Sequence, residues 1–390
     1  MSSNELLEFR TSVRALLAKH ATPAAVRAAM DTDLGYDPKL WTMLCEQVGV
    51  AALAVPEEWG GAGAGLVESL MVVGELGRTL AGVPMLGSAV LGVQAILLAG
   101  DEQACARLLP DLADGSRTAA LCWADAAGWD SSGVDASDGK LNGAAHYVLH
   151  GAQADLLLVL TEDGLFETAA DAPGVVVAPT PALDPTRKLA VIAFTDTPAT
   201  RIGTADPAAL RARLREIAWA ALAAEQVGAA RHCLEMTVAY TASRVQFGRP
   251  IGSFQALKHR MADMYVLVES GGGGGRGAPY TASRVQFGRP IGSFQALKHR
   301  MADMYVLVES AESTALAAAQ AVAEHSDSAA EDVYVARKHC TETFTHVAAE
   351  TIQLHGGIAI TWEHDAHLYF KRAHATAELF GTGRRPVAAA

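Results

Sequence analysis

A 31-residue phrase, YTASRVQFGRPIGSFQALKHRMADMYVLVES, fills residues 240–270 and is written again, letter for letter, over 280–310. Between the copies, residues 271–279 read GGGGGRGAP. No other feature of the chain restricts its fold so tightly. A solenoid is excluded, because solenoid repeats diverge and number at least three. The glycine run reads as a flexible linker. It lacks the Lys-Ser/Thr and the preceding strand that a phosphate-cradling loop requires. The first copy is continuous with an upstream helix through Val238 and Ala239, and the second runs on into AESTALAAAQ. Both flanking helices are kept only if 40 residues, parts of both copies plus the linker, are looped out. The register therefore predicts that Tyr240 to Arg244 complete one helix and Ser293 to Ser310 begin the next. The surplus is expected to protrude around Gly271 to Gly275. Only one composite copy can then do whatever the phrase does.

Around this repeat the sequence changes texture twice. Residues 1–115 carry helical periodicity with loop punctuation, as in LVESLMVVGELGRTL, and read as an N-terminal helical domain. Residues 116–205 hold short apolar or alternating runs such as ADLLLVLTEDG and KLAVIAFT, divided by Gly, Pro, Asn and Asp, and read as a β domain. Residues 206–390 are helical again and contain the tandem duplication.

Charge and composition remove several functions. A net charge of -12 with no basic cluster argues against nucleic acid. No uninterrupted apolar stretch approaches the ~20 residues of a membrane span. The N-terminus MSSNELLEFRTSVRALLAKH is acidic where a signal peptide is basic, and reads as a mature first helix. Five scattered cysteines without metal spacing read as reduced thiols of a cytoplasmic protein. His364, His367 and His374 lack an HExxH or an acidic third ligand and read as a solvated helix, so no metal is expected. QLHGG echoes an esterase oxyanion turn, but there is no G-x-S-x-G nucleophile elbow.

Three stretches, LAVPEEWGGAGAG, RVQFGRPIGSFQALKHRMADM and QLHGGIAITWEHDAHLYFKRA, resemble the acyl-CoA dehydrogenases, in the right order and across nearly the whole chain. The resemblance implies an N-terminal α-helical domain, a middle β-barrel-like domain and a C-terminal four-helix bundle. It implies FAD as cofactor, α,β-desaturation of an acyl-CoA substrate and an electron-transfer flavoprotein as acceptor. In that family a carboxylate removes the α-proton while hydride leaves to the flavin, and the flavin lies across a subunit interface. By resemblance, the ADP half of the cofactor site here would comprise Arg244, Gln246 and Phe247, or their twins Arg284, Gln286 and Phe287. Gln353, Gly356 and Gly357 of the Q-x-x-G-G turn complete it. Arginine suits a diphosphate and glycine permits close backbone approach.

The other half departs from the family pattern. The loop T-E-P-x-A-G-S-D becomes WADAAGWD, with Trp123 and Trp129 in place of two hydroxyls. The Thr/Ser beside flavin N5 becomes Leu149, which has no donor, and the covering aromatic becomes Tyr147. Phe380 of LFGT stands where many members carry the Glu base of Y-E-G-T. Other members place that Glu on the preceding helix, where counting back lands near Ala218. Glu216 points to another face, and Glu225 shares the face but lies about 10 Å further along the axis. The catalytic residue is therefore left open, with Glu225 as the one candidate. The pattern resembles the base-lacking subunit of bacterial heterotetrameric, steroid side-chain type acyl-CoA dehydrogenases. It implies a paralogous partner in an α2β2 assembly and a role in lipid metabolism. A scaffold subunit and a self-sufficient homotetramer stay open as alternatives.

Overall fold

The computed structural model describes residues 3–243, 245–246, 249–250, 285–286, 289–290 and 295–382. Helices open the chain: α1 (Ser3–His20), α2 (Pro23–Met30), α3 (Pro38–Met43), α4 (Leu66–Thr79), α5 (Val93–Ala99) and α6 (Glu102–Ala113). Their starts are set by local chemistry. Thr22 caps α2 by accepting from the Ala25 amide, with Pro23 at the first helical position. Asp101 caps α6 by accepting from the amides of Gln103 and Ala104. A wide π-type turn, Met85–Gly92, is buried along its whole length and leads into α5.

Two four-stranded sheets follow. One has the order β1 (Ala119–Cys122), β4 (Leu156–Leu160), β5 (Leu165–Ala169), β8 (Thr200–Ile202). The other runs β2 (Val134–Ser137), β3 (Lys140–Leu149), β7 (Leu189–Pro198), β6 (Val175–Thr180). The alternating side chains Leu141, Ala145, Ile192 and Phe194 meet Leu157 and Val159 in a core of their own.

The last layer is a bundle of α7 (Pro207–Ser243), α8 (Gln295–Ala323), α9 (Ala329–His355) and α10 (Ala366–Glu378). Leu214, Ala218, Leu222, Ala229 and Cys233 of α7 are buried along one helical stripe, which fits its Ala-rich sequence. Its crossing with α4 is as close as backbone allows. A Cβ at Gly228 would stand 1.8 Å from the carbonyl oxygen of Gly74, so only glycine fits there. The N- and C-terminal helical layers therefore share one core.

The repeat is resolved as a composite. α7 ends at Ser243 in the first copy, and α8 begins at Gln295 in the second. The two copies meet directly where Thr241 donates to the sulfur of Met301 at 3.8 Å, and the first is also tied to the following helix by Tyr240, which donates to the His355 carbonyl at 3.2 Å. Met301, Met304 and Val308 fill the berth of the second helix. A break between two helices costs little, whereas a break within α8 would interrupt its hydrogen-bond ladder. The described residues of the two copies pair in the same way. Val245 pairs with Pro250 and Gln246 with Arg249 in the first, Val285 with Pro290 and Gln286 with Arg289 in the second. The expected excursion around Gly271 to Gly275 lies outside the described residues.

Candidate functional site

Four of the residues that depart from the family pattern, Trp123, Trp129, Tyr147 and Phe380, come together at one corner, while Leu149 does not and lies beside Glu225. Phe380 is buried, at the left-handed φ of 61°. Its ring packs on Trp123, with centroids 5.7 Å apart, and meets Trp129 edge-on at 6.1 Å. Trp129 lies 5.1 Å from the ring of Tyr147, whose hydroxyl donates to the Ala126 carbonyl at 3.0 Å. Four aromatic rings thus form one packed cluster, stabilised by edge and tilted contacts as well as burial.

Polar groups fix this corner from behind. The Trp219 indole donates to the Phe380 carbonyl at 3.0 Å. Arg211 donates to the Trp123 carbonyl at 2.5 Å, and Arg215 to the Trp129 carbonyl. Arg337, buried on α9, caps the end of α10. One of its nitrogens reaches the carbonyls of Thr376 (3.1 Å), Ala377 (2.7 Å), Leu379 (3.1 Å) and Gly381 (3.3 Å). A cation at a helix C-terminus satisfies orphan carbonyls and opposes the helix dipole. Outside the cluster, Gly128, Trp129, Arg215, Phe380 and Thr382 border a cavity of about 740 Å³.

Glu225 sits elsewhere, in a cage of buried charge. Its carboxylate accepts from Arg187 and, at 2.8 Å, from Arg372. Arg372 also pairs with Asp184 and donates to the Thr186 hydroxyl at 2.6 Å. Burial pushes the Glu225 carboxyl up, but Arg187 and then Arg372 outweigh it and hold it below the usual carboxylate range. Between the cage, Leu149 and His150 a cavity of about 20 Å³ is left, enough for a water and little else. Glu216 borders the same cavity as Phe380 and is engaged there by Arg213 at 2.7 Å.

The Q-x-x-G-G turn has the opposite character. Gln353, Gly356 and Gly357 are exposed where α9 ends. Gly356 takes a left-handed φ of 69°, which ends the helix. Among the described residues, a Cβ built on either glycine would find nothing within 4 Å, so the turn is an open ledge. Arg244, Phe247, Arg284 and Phe287 lie outside the described residues, and only the backbone of Gln246 and Gln286 is described. His364 stands over His355, with ring centroids 4.6 Å apart, and His367 is edge-on to Trp362. Among the described residues, no three His, Cys, Asp or Glu side chains group as metal ligands, and no helix is long and apolar enough to cross a membrane.

Sequence reasoning missed Arg337, Arg372 and Trp219. A signal for Arg337 was present, since it shares the helical face of Val333, Cys340, Phe344 and Val347, all buried. An arginine on an apolar stripe has to be bonded by something inside the fold.

Comparison with known proteins places the whole arrangement. The acyl-CoA dehydrogenase N-terminal domain matches residues 3–116, and the acyl-CoA dehydrogenase C-terminal domain matches residues 217–271 and 276–384. The acyl-CoA dehydrogenase IpdE2 of Mycobacterium tuberculosis is 41% identical over 375 residues, 96% of this chain and 92% of that protein. Among solved structures, the ChsE4-ChsE5 complex from Mycobacterium tuberculosis superposes with a TM-score of 0.79 at 26% identity, covering 98% of this chain and 95% of that one. The Tcur3481-Tcur3483 steroid ACAD superposes with a TM-score of 0.78 at 27% identity, covering 97% of this chain and 94% of that one.

Proposed function

Because the chain belongs to the acyl-CoA dehydrogenase family, oxidoreductases acting on the CH–CH bond of acyl-CoA thioesters, we propose that it works as one of two unlike subunits of such an enzyme. It contributes the surface that holds the ADP end of an FAD. A paralogous subunit in an α2β2 assembly contributes the base and the contacts to the flavin ring.

The observation that carries this reading is Phe380. Phenylalanine cannot take up a proton, and here its ring is committed to Trp123 and Trp129 in a closed cluster. The residues at this corner do not fit the flavin ring: Trp123 and Trp129 stand where hydroxyl donors would be needed, and Leu149, which lies beside the Glu225 cage instead, has no donor. No step of the dehydrogenation is therefore assigned to this chain's residues. Glu225 is read as structural: a carboxylate held by two arginines is a weak base and has no room beside it for an acyl chain.

The ADP end of FAD fits the chain better. Gln353, Gly356 and Gly357 form an exposed ledge whose backbone a phosphate could approach without meeting a side chain. With Arg244 or Arg284, Gln246 or Gln286, and Phe247 or Phe287, they are the residues assigned to the diphosphate and adenosine. FAD, once bound across the interface, supplies the hydride acceptor. The two-component names of the solved relatives ChsE4-ChsE5 and Tcur3481-Tcur3483 support a mixed assembly, and the second, a steroid ACAD, supports a bulky, steroid-derived acyl group. An electron-transfer flavoprotein is the acceptor this family reading brings with it.

The test is spectroscopic. Purified alone, the chain is expected to show no flavin absorbance, and to be yellow when co-purified with its paralogous partner. Arg244→Ala combined with Arg284→Ala is expected to strip the flavin from that complex. Stoichiometric FAD on the lone chain, with unaided reduction by an acyl-CoA, would overturn the proposal.

A further inference from the structure

A second cavity, of about 300 Å³, lies where the end of α1 and the start of α2 face α4, α7 and α10. Leu17, Ala21, Val26, Leu80 and Leu368 give it aliphatic walls. Leu80 is presented there from a left-handed φ of 58°, a conformation that a residue other than glycine rarely adopts.

The charges at its rim are already matched. Arg14 pairs with Glu75 at 2.6 Å, Asp365 with Arg27 at 2.5 Å, and Arg78 with Glu235. An ionic head group would have to displace one of these partners. The Tyr369 hydroxyl is also committed, donating to the Arg78 carbonyl at 2.7 Å.

His232 on α7 is the exception. Its ring stacks on Tyr369, with centroids 5.1 Å apart and planes 27° from parallel. Among the described residues, neither of its ring nitrogens has a hydrogen-bond partner. Burial first, and then the nearby Arg78, lower its pKa, so the ring is neutral near pH 7. A neutral imidazole offers one donor and one acceptor.

We propose that this cavity binds a neutral, largely apolar molecule carrying one hydroxyl or ketone oxygen, which His232 receives. The volume lies at the lower end of the range for small-molecule sites, roughly 300–1,000 Å³, and mostly apolar walls with one convergent polar group are their usual lining. The assignment is independent of the flavin reading, since it shares no residue with the ledge or the aromatic corner.

Isothermal titration of the full-length chain with 1-nonanol and with nonanoate tests it. Saturable binding of 1-nonanol is expected, with nonanoate at least about tenfold weaker because of its charge. His232→Phe keeps the stack on Tyr369 and removes both nitrogens. It is expected to weaken 1-nonanol about tenfold, the equivalent of one hydrogen bond. Ala18→Phe, at an exposed position of α1 that lines the cavity, is expected to abolish binding without endangering the fold. Absence of saturable 1-nonanol binding, nonanoate binding as tightly, or unchanged affinity in His232→Phe would overturn the proposal.

Discussion

Gly356 and Phe380 both fall in the C-terminal stretch that the family resemblance marks for cofactor and chemistry, yet their surroundings are opposite. Gly356 and Gly357 stand exposed, with open space where side chains would be. Phe380 is sealed among Trp123 and Trp129, tied through its carbonyl to Trp219, and carried on a loop clamped by Arg337. One region has kept a surface that only another molecule can complete. The other has become core. On the proposed reading, the two halves of a shared site have separated: the ledge serves a ligand shared with a partner, while the residue at the usual base position has been given over to packing.

If the closed side is core, mutating it should cost stability first, and the one effect expected to be larger still is in the charge cage around Glu225. Arg372→Met leaves Asp184 and Glu225 short of a partner in a buried setting and should cost about 3–5 kcal/mol, read as a fall in the urea midpoint. The cage also predicts a pH dependence. The folded pKa of Glu225 is depressed, so its stabilisation is present above the ordinary carboxylate pKa and is lost as pH falls through the folded value. Hence the stability gap between wild type and Glu225→Gln should be widest near neutrality and close on acidification. A gap that widens toward acid would break the assignment of Glu225 to the cage.

Phe380→Ala should come next, at about 3 kcal/mol, with a change in tryptophan fluorescence because Trp123 and Trp129 lose a neighbour. On the open side, effects on stability should be smaller and effects on flavin large. Gly356→Ala should cost about 2 kcal/mol, because its φ of 69° with a ψ of -149° is a conformation that essentially only glycine adopts. Gly357→Ala should change stability by less than about 0.5 kcal/mol, yet lower the flavin content of the mixed complex. A Gly357→Ala complex with full flavin would remove the ledge from the cofactor site. Smallest of all, deletion of residues 271–310 should leave the thermal midpoint nearly unchanged, since the first copy then runs on into Ala311 and supplies Met261 in place of the identical Met301 that meets Thr241. Loss of folding on deletion would contradict the composite register.

The helix–sheet–helix order was readable from periodicity, because each layer's apolar spacing is imposed by the face it buries. That one helix would end in the first copy and the next run on from the second was readable too, because each copy is continuous with a different flanking helix. The two tryptophans and Phe380 could be singled out by comparison with family motifs, but not their mutual contact, which depends on how a β-domain loop meets the end of α10. Glu225 was legible as a carboxylate on the right helical face. Its neutralisation was not, because Arg187 and Arg372 reach it from positions 38 and 147 residues away. His232 gave no signal, since a lone histidine on a helix says nothing about a cavity beside it.

The most direct test of the divided site is the flavin count of the co-purified complex. If this chain offers only the ADP-holding half, each pair of unlike subunits should carry one FAD. Two FAD per pair, one for every chain, would show that the aromatic corner admits a flavin ring and would contradict the account.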